Sequence, residues 1–131
     1  IKVTDGNSRS IAKELSRIVE RFSMAARCII SSFYPSAILT AKRFCRGVPT
    51  SLIYSTSLKE EHPIQHLAAR GLSNAPILKP QWQTALKTLE HRGGAGKPII
   101  PWTINEASIA ERCLELGAEG IISDDPIAVI Q

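Results

Sequence analysis

Short apolar runs alternate along this chain with amphipathic stretches, the pattern of an α/β fold on a parallel sheet. The alternation recurs about every 22 to 25 residues, enough for one strand, one helix and their connections. Runs such as Cys28-Ile29-Ile30 and Ile99-Ile100 are continuously apolar, as strands are when helices cover the sheet. Periodicity leaves two architectures open, a doubly wound sheet and part of a (β/α)₈ barrel. Residues 1–131 are expected to form a single domain, and 131 residues can bury a sizeable core. A whole barrel of that type takes about 250 residues.

Each element has its own signal. Ile1 to Val3 reads as the end of a strand, and Thr4 to Ser8 as turn and cap chemistry. Ile11, Ala12, Leu15, Ile18, Val19 and Phe22 recur at three- and four-residue spacing and predict a helix. Cys28 to Ser31 predicts a strand, and Pro35 suits the first turn of the next helix. That helix bears Ala37, Ile38, Ala41, Phe44 and Cys45 on its apolar face, with Gly47 at its end. Ser51 to Tyr54 is a third strand, followed by a weaker helix around Ile64, Leu67 and Ala68 that stops at Gly71.

Ala75 to Leu78 is a fourth strand, after which Pro80 opens a helix with Trp82, Ala85, Leu86 and Leu89, closed by Gly93. Lys97 to Thr103 predicts a fifth strand. Asn105 then caps a helix with Ile109, Ala110, Cys113 and Leu114, and Gly117 terminates it. Gly120 to Ser123 is the sixth strand, and Asp124 or Asp125 caps a last short helix that begins at Pro126.

Composition excludes several classes. The net charge of +4 is scattered, with no block of like charges, so a nucleic-acid surface has little support and a solvated basic surface suffices. No apolar stretch reaches the roughly 18 residues of a membrane span. Cys28, Cys45 and Cys113 are odd in number and widely spaced within apolar runs. They read as reduced core residues, which favours a cytoplasmic setting. No leader is visible, but the chain begins at Ile1, so an upstream segment is expected.

Two tempting motifs fail. In His91-Arg92-Gly93-Gly94-Ala95-Gly96-Lys97, His91 stands where a phosphate-binding loop needs its first glycine. Pro98 replaces the hydroxyl residue that would hold Mg²⁺, and the segment leads into a strand instead of a helix. His62, His66 and His91 lack partners at metal-ligand spacing, and His62 beside Pro63 reads as a surface residue at a helix start.

Lys97-Pro98-Ile99-Ile100-Pro101-Trp102-Thr103-Ile104-Asn105 resembles the seventh-strand signature of the glycerophosphodiester phosphodiesterase family, which ends in Trp-Thr-x-Asn. Leu116-Gly117-Ala118-Glu119-Gly120-Ile121-Ile122-Ser123-Asp124-Asp125-Pro126 resembles its eighth strand, with Ser123 in place of the usual Thr. Ile30-Ser31-Ser32-Phe33 is similar to the fourth strand, and Ile1-Lys2 to the tail of the third, whose signature is Glu-x-Lys. The resemblance spans nearly the whole chain and is loosest from Ser55 to Gln81. It implies a parallel (β/α) barrel of TIM type of which only strands three to eight are present.

The resemblance also implies a function, metal-dependent hydrolysis of glycerophosphodiesters to glycerol 3-phosphate and an alcohol. A divalent cation, Ca²⁺ or Mg²⁺, held by carboxylates would offset phosphoryl charge, and two His would act as acid and base. The family's His-Arg-Gly, Glu-x-Asp and second His fall before Ile1, so metal ligands are expected to be none here and the 131 residues alone inactive. His91-Arg92-Gly93 matches the first of these only by letter, because it follows a helix.

Among the residues present, Lys2 matches the active-site lysine and is the catalytic candidate, its ammonium pairing with the phosphate. Phe33 and Trp102 follow strand ends and are the substrate-binding candidates. Asn105 and Asp124 read as helix caps. Two further readings are a non-catalytic barrel fragment that associates through its open sheet edges, with itself or with an upstream segment, and a sphingomyelinase-D-like phosphodiester lyase.

Overall fold

The computed structural model describes residues 7–55, 74–92 and 96–130. The strand and turn expected at residues 1–6, the helix around Ile64, and Lys2, His62, His66, Gly71 and Gly93 lie outside the described residues. The chain divides into two compact units, Ile1–Ile53 with Ile64–Pro76, and Tyr54–Pro63 with Ile77–Gln131.

The first unit is built from helix α1 (Ser8–Arg21), a single 3₁₀ turn (Ala25–Arg27), strand β1 (Ile30–Ser32), helix α2 (Pro35–Phe44) and strand β2 (Thr50–Tyr54), whose last residue belongs to the second unit. β1 and β2 run parallel, with Ile30 opposite Thr50, Ser31 opposite Ser51 and Ser32 opposite Leu52. The hydroxyl of buried Ser51 donates to Oγ of half-buried Ser31 at 2.7 Å, so it is satisfied across the register. Pro35 stands in the first turn of α2, where its missing N–H costs nothing.

Val19, Ile30, Ala41, Cys45 and Val48 form the core, with Leu15, Ala25, Cys28 and Phe44 packed against it. The Cys45 thiol donates to the Ala12 carbonyl at 3.3 Å and ties α2 to α1. Burial, and then the charge of Glu20, push that thiol upward. Arg9 and Lys13 lie over the Phe44 ring at 5.8 and 5.6 Å.

The apolar face of α1 is wider than its contacts. Ala12 and Val19 are buried, whereas Ile11, Ile18 and Phe22 are exposed. At 3.6 residues per turn these three fall on one line beside the buried stripe. The sequence pattern marks both stripes alike, and only one is covered.

The second unit contains strand β3 (Ile77–Pro80), helix α3 (Trp82–Arg92), helix α4 (Ala107–Glu115) and the short helix α5 (Pro126–Ile130). Ile104, Ala110, Cys113 and Val129 form its core, flanked by Trp82, Leu86, Ile109, Ala118 and Ile121. Burial raises the Cys113 thiol as well. All three cysteines are free, Cys45 and Cys113 buried and Cys28 half-buried.

Three expectations for this unit need correction. Pro80 is the last residue of β3 and does not open the following helix. The fifth expected strand pairs with β3 in parallel, Leu78 opposite Ile99 and Gln81 opposite Trp102, but as two isolated bridges. The register is the same at both, and Pro80 has no N–H for the bond that would join them through the Ile100 carbonyl. The sixth is also an extended segment without strand pairing of its own. Ile122 donates to the Pro101 carbonyl at 2.9 Å and accepts from Ile104 at 2.9 Å. The Trp102–Thr103 peptide between those partners is cis.

Candidate functional site

In parallel α/β folds, ligand sites lie beyond the C-terminal ends of the strands. In the second unit those ends carry two groups, Ser55, Lys79, Gln81 and Trp102 in one and Asn105, Ser123 and Asp124 in the other.

Trp102 is placed twice. Its backbone is held on both sides, its N–H donating to the Pro80 carbonyl at the end of β3 at 3.0 Å and its carbonyl accepting from the Trp82 N–H at the head of α3 at 2.8 Å. Its indole N–H donates to the Lys79 carbonyl at 2.8 Å, so the ring reaches over the end of β3. It is half-buried, an apolar plate with its polar edge satisfied. Beside it, the Gln81 N–H donates to the Tyr54 carbonyl at 2.9 Å, and the Ser55 hydroxyl donates to Gln81 Oε1 at 2.5 Å.

Side-chain alternation sorts these residues by face. Lys79 and Gln81 share one face of β3, and Ile100 and Trp102 share the matching face of the next segment. All four are half-buried, whereas Leu78, Pro80, Ile99 and Pro101 on the opposite face are buried. Burial holds the Lys79 ammonium below the ordinary lysine range.

A second polar cluster joins the two following loops. Asn105 Oδ1 accepts from the Ser123 hydroxyl at 3.1 Å and from the Asp124 N–H at 3.0 Å, while its Nδ2 donates to Asp124 Oδ2 at 3.3 Å. The expected cap at Asn105 is therefore absent. The residue at the head of α4 is Glu106, without a side-chain cap bond. One amide with both donor and acceptor ends can instead satisfy a neighbouring loop. The last helix is capped by Asp125, whose Oδ1 accepts from the Ala128 N–H at 3.2 Å, and not by Asp124.

The sequence-derived candidates fare differently. Lys2 lies outside the described residues. Phe33 follows β1 in the first unit and is 43% exposed, so it does not serve as core packing. Trp102 stands at the strand ends of the second unit. Ser55, Lys79 and Gln81 carry no motif, and only the β3 register shows that two of them flank Trp102. Among the described residues no three His, Cys, Asp or Glu side chains converge to hold a metal. The described residues thus do not fit a divalent cation by themselves: the Asp125 carboxylate is engaged at a helix start, and Asp124 is bonded by Asn105.

Comparison with known proteins gives the chain its place. The model of the glycerophosphoryl diester phosphodiesterase family matches residues 1–128. A glycerophosphodiester phosphodiesterase of Caldanaerobacter subterraneus subsp. tengcongensis is 29% identical over 121 residues, which cover 92% of this chain and 48% of that protein. A structure described as a glycerophosphoryl diester phosphodiesterase from Silicibacter pomeroyi matches with a TM-score of 0.75 at 19% identity, over 93% of this chain and 42% of its own. A phosphodiesterase from Oleispira antarctica, solved in complex with the product sn-glycerol-3-phosphate, matches with a TM-score of 0.74 at 17% identity, over 98% and 51%. The chain thus spans about half the length of these relatives, and its fold is that of an incomplete TIM-type barrel. With its family model matched over residues 1–128, this chain belongs to the glycerophosphoryl diester phosphodiesterase family.

Proposed function

We propose that this chain forms part of a metal-dependent phosphodiesterase that cleaves glycerophosphodiesters to glycerol 3-phosphate and an alcohol. Membership of the family is the observation that supports this most directly. The relative solved with sn-glycerol-3-phosphate supports a small phosphorylated polyol as product. In this reading Trp102 is the apolar wall against the glycerol carbons, held by its bond to Lys79. The roles expected from the sequence for Phe33, as a substrate contact, and for Lys2, as the partner of the phosphate, belong to the same proposal.

A divalent cation, Mg²⁺ or Ca²⁺, would supply charge neutralisation at the phosphoryl oxygens. Its ligands and the acid–base histidines are proposed to come from outside these 131 residues. Cytoplasmic residence is part of the same proposal. Among the described residues no helix is long and apolar enough to cross a membrane.

The test is steady-state hydrolysis of glycerophosphocholine by the longest natural polypeptide that contains these residues. Trp102→Ala is expected to raise KM about tenfold or more, since a buried aromatic contact is worth over a kcal/mol. An unchanged KM removes Trp102 from the substrate wall.

A second reading is favoured by one specific observation, the exposed line of Ile11, Ile18 and Phe22 on α1. Such a line is a docking surface for another segment or a second copy. It predicts that the isolated chain self-associates, and a monomer by sedimentation at high micromolar concentration would reject it.

A further inference from the structure

The geometry points to a glycerol-phosphate recognition wall made by Gln81 and Lys79 beside Trp102, an assignment that rests on the phosphodiesterase reading and names the residues that would read its substrate. Three observations converge. Gln81 and Trp102 are register partners in a parallel bridge, so their side chains leave the same face, and Lys79 two residues earlier shares it. That face is half-open, whereas the residues between them are buried on the other side. The Gln81 carboxamide is also oriented. Its Oε1 accepts from Ser55, which is 1% exposed and so is itself a fixed donor.

Spending the acceptor end of an amide on a buried hydroxyl turns its NH₂ away from that hydroxyl. Among the described residues Gln81 Nε2 makes no hydrogen bond within the chain. A half-buried amide whose two donors are unfilled among the described residues, set next to an aromatic plate, suits an acceptor oxygen on a small polar ligand. Glycerol phosphate presents hydroxyl oxygens on a short carbon chain and anionic oxygens at one end. Gln81 donates to a glycerol hydroxyl, Trp102 covers the carbons, and Lys79 reaches the phosphoryl oxygens as a compact charge. The Lys79 backbone is already anchored by the Trp102 indole, so the three residues form one rigid piece.

The experiment is a nitrogen-15 NMR titration of the polypeptide with sn-glycerol 3-phosphate and, separately, with inorganic phosphate. The expected result is saturable movement of the Gln81 side-chain amide and the Trp102 indole N–H. Gln81→Leu should lose about tenfold of the preference for glycerol 3-phosphate over phosphate, the value of one well-made hydrogen bond. Lys79→Met should weaken both ligands. Ser55→Ala, which leaves Gln81 in place but releases its amide, should lose part of the same preference and guards against a Leu variant that does not fold.

Glycerol 3-phosphate that binds elsewhere, or a preference unchanged in both Gln81→Leu and Ser55→Ala, overturns the assignment while hydrolysis of glycerophosphocholine keeps the phosphodiesterase reading. Absence of binding by the unaltered polypeptide also overturns it. Absence of hydrolysis by the longest natural polypeptide that contains these residues then removes the parent reading.

Discussion

Asn105 illustrates how one side chain can serve a neighbouring loop rather than its own helix. Its amide spans Ser123 and Asp124 through three hydrogen bonds. Asn105→Ala should therefore lower stability by about 1 kcal/mol in urea unfolding. Asn105→Asp keeps the acceptor but loses the amide donor and sets a second carboxylate against Asp124, so its deficit should exceed that of Asn105→Ala. An equal deficit in the two variants would mean that the Asp124 contact contributes nothing. Lys79 adds a second prediction. Burial lowers its ammonium below the ordinary 10.5, so the folded chain releases this proton before the unfolded chain does. Across the alkaline window that ends near 10.5 the unfolded state binds more protons, and the Lys79 contribution to stability rises with pH. The buried thiols of Cys45 and Cys113, raised above 9.0, act in the opposite sense, so the quantity to follow is wild type minus Lys79→Met. That difference should move in favour of wild type as pH rises toward 10.5. At this scale the sequence was partly legible. Trp102 stood out through Trp-Thr-x-Asn, whereas Lys79, Gln81 and Ser55 acquire their meaning only from a register that no local pattern encodes.

Elements were easier to read where their ends are chemical. α1 and α4 finish in the same hydrogen-bond motif, with Met24 donating to Val19 and Ser23 to Glu20 in one, Ala118 to Cys113 and Gly117 to Leu114 in the other. Both place their turning residue at positive φ, Gly117 at 90° and Ser23 at 52°. Gly117 announced its stop in the sequence, and Ser23 did not, because only glycine signals that conformation by identity. Gly117→Ala meets no atom within 4 Å, so its cost of about 1 kcal/mol is backbone strain alone. Ser23→Gly should gain a similar amount, about 0.5 to 1 kcal/mol. Both shifts are read from thermal or urea midpoints, and a neutral Gly117→Ala would show that the motif is not set by φ. The strands show the opposite behaviour. Apolar runs located β1, β2 and β3 to within a few residues, but Pro80 reduced the next pairing to two bridges by removing a single donor.

On the scale of the molecule, fold and family follow from the order of a few blocks. The two signatures near the C-terminus keep their spacing, and the family model spans residues 1–128. The strand-end cluster of the second unit offers an aromatic plate, a lysine and an oriented amide, which suits recognition. Among the described residues it offers no convergent metal ligands. The proposed hydrolysis needs metal ligands and acid–base groups beyond those of this cluster. The most direct measurement of the proposal is release of glycerol 3-phosphate from glycerophosphocholine with Mg²⁺ or Ca²⁺, comparing residues 1–131 alone with the longest natural polypeptide that contains them. No release is expected from the first and metal-dependent release from the second; hydrolysis by residues 1–131 alone, or by neither form, would overturn the proposal.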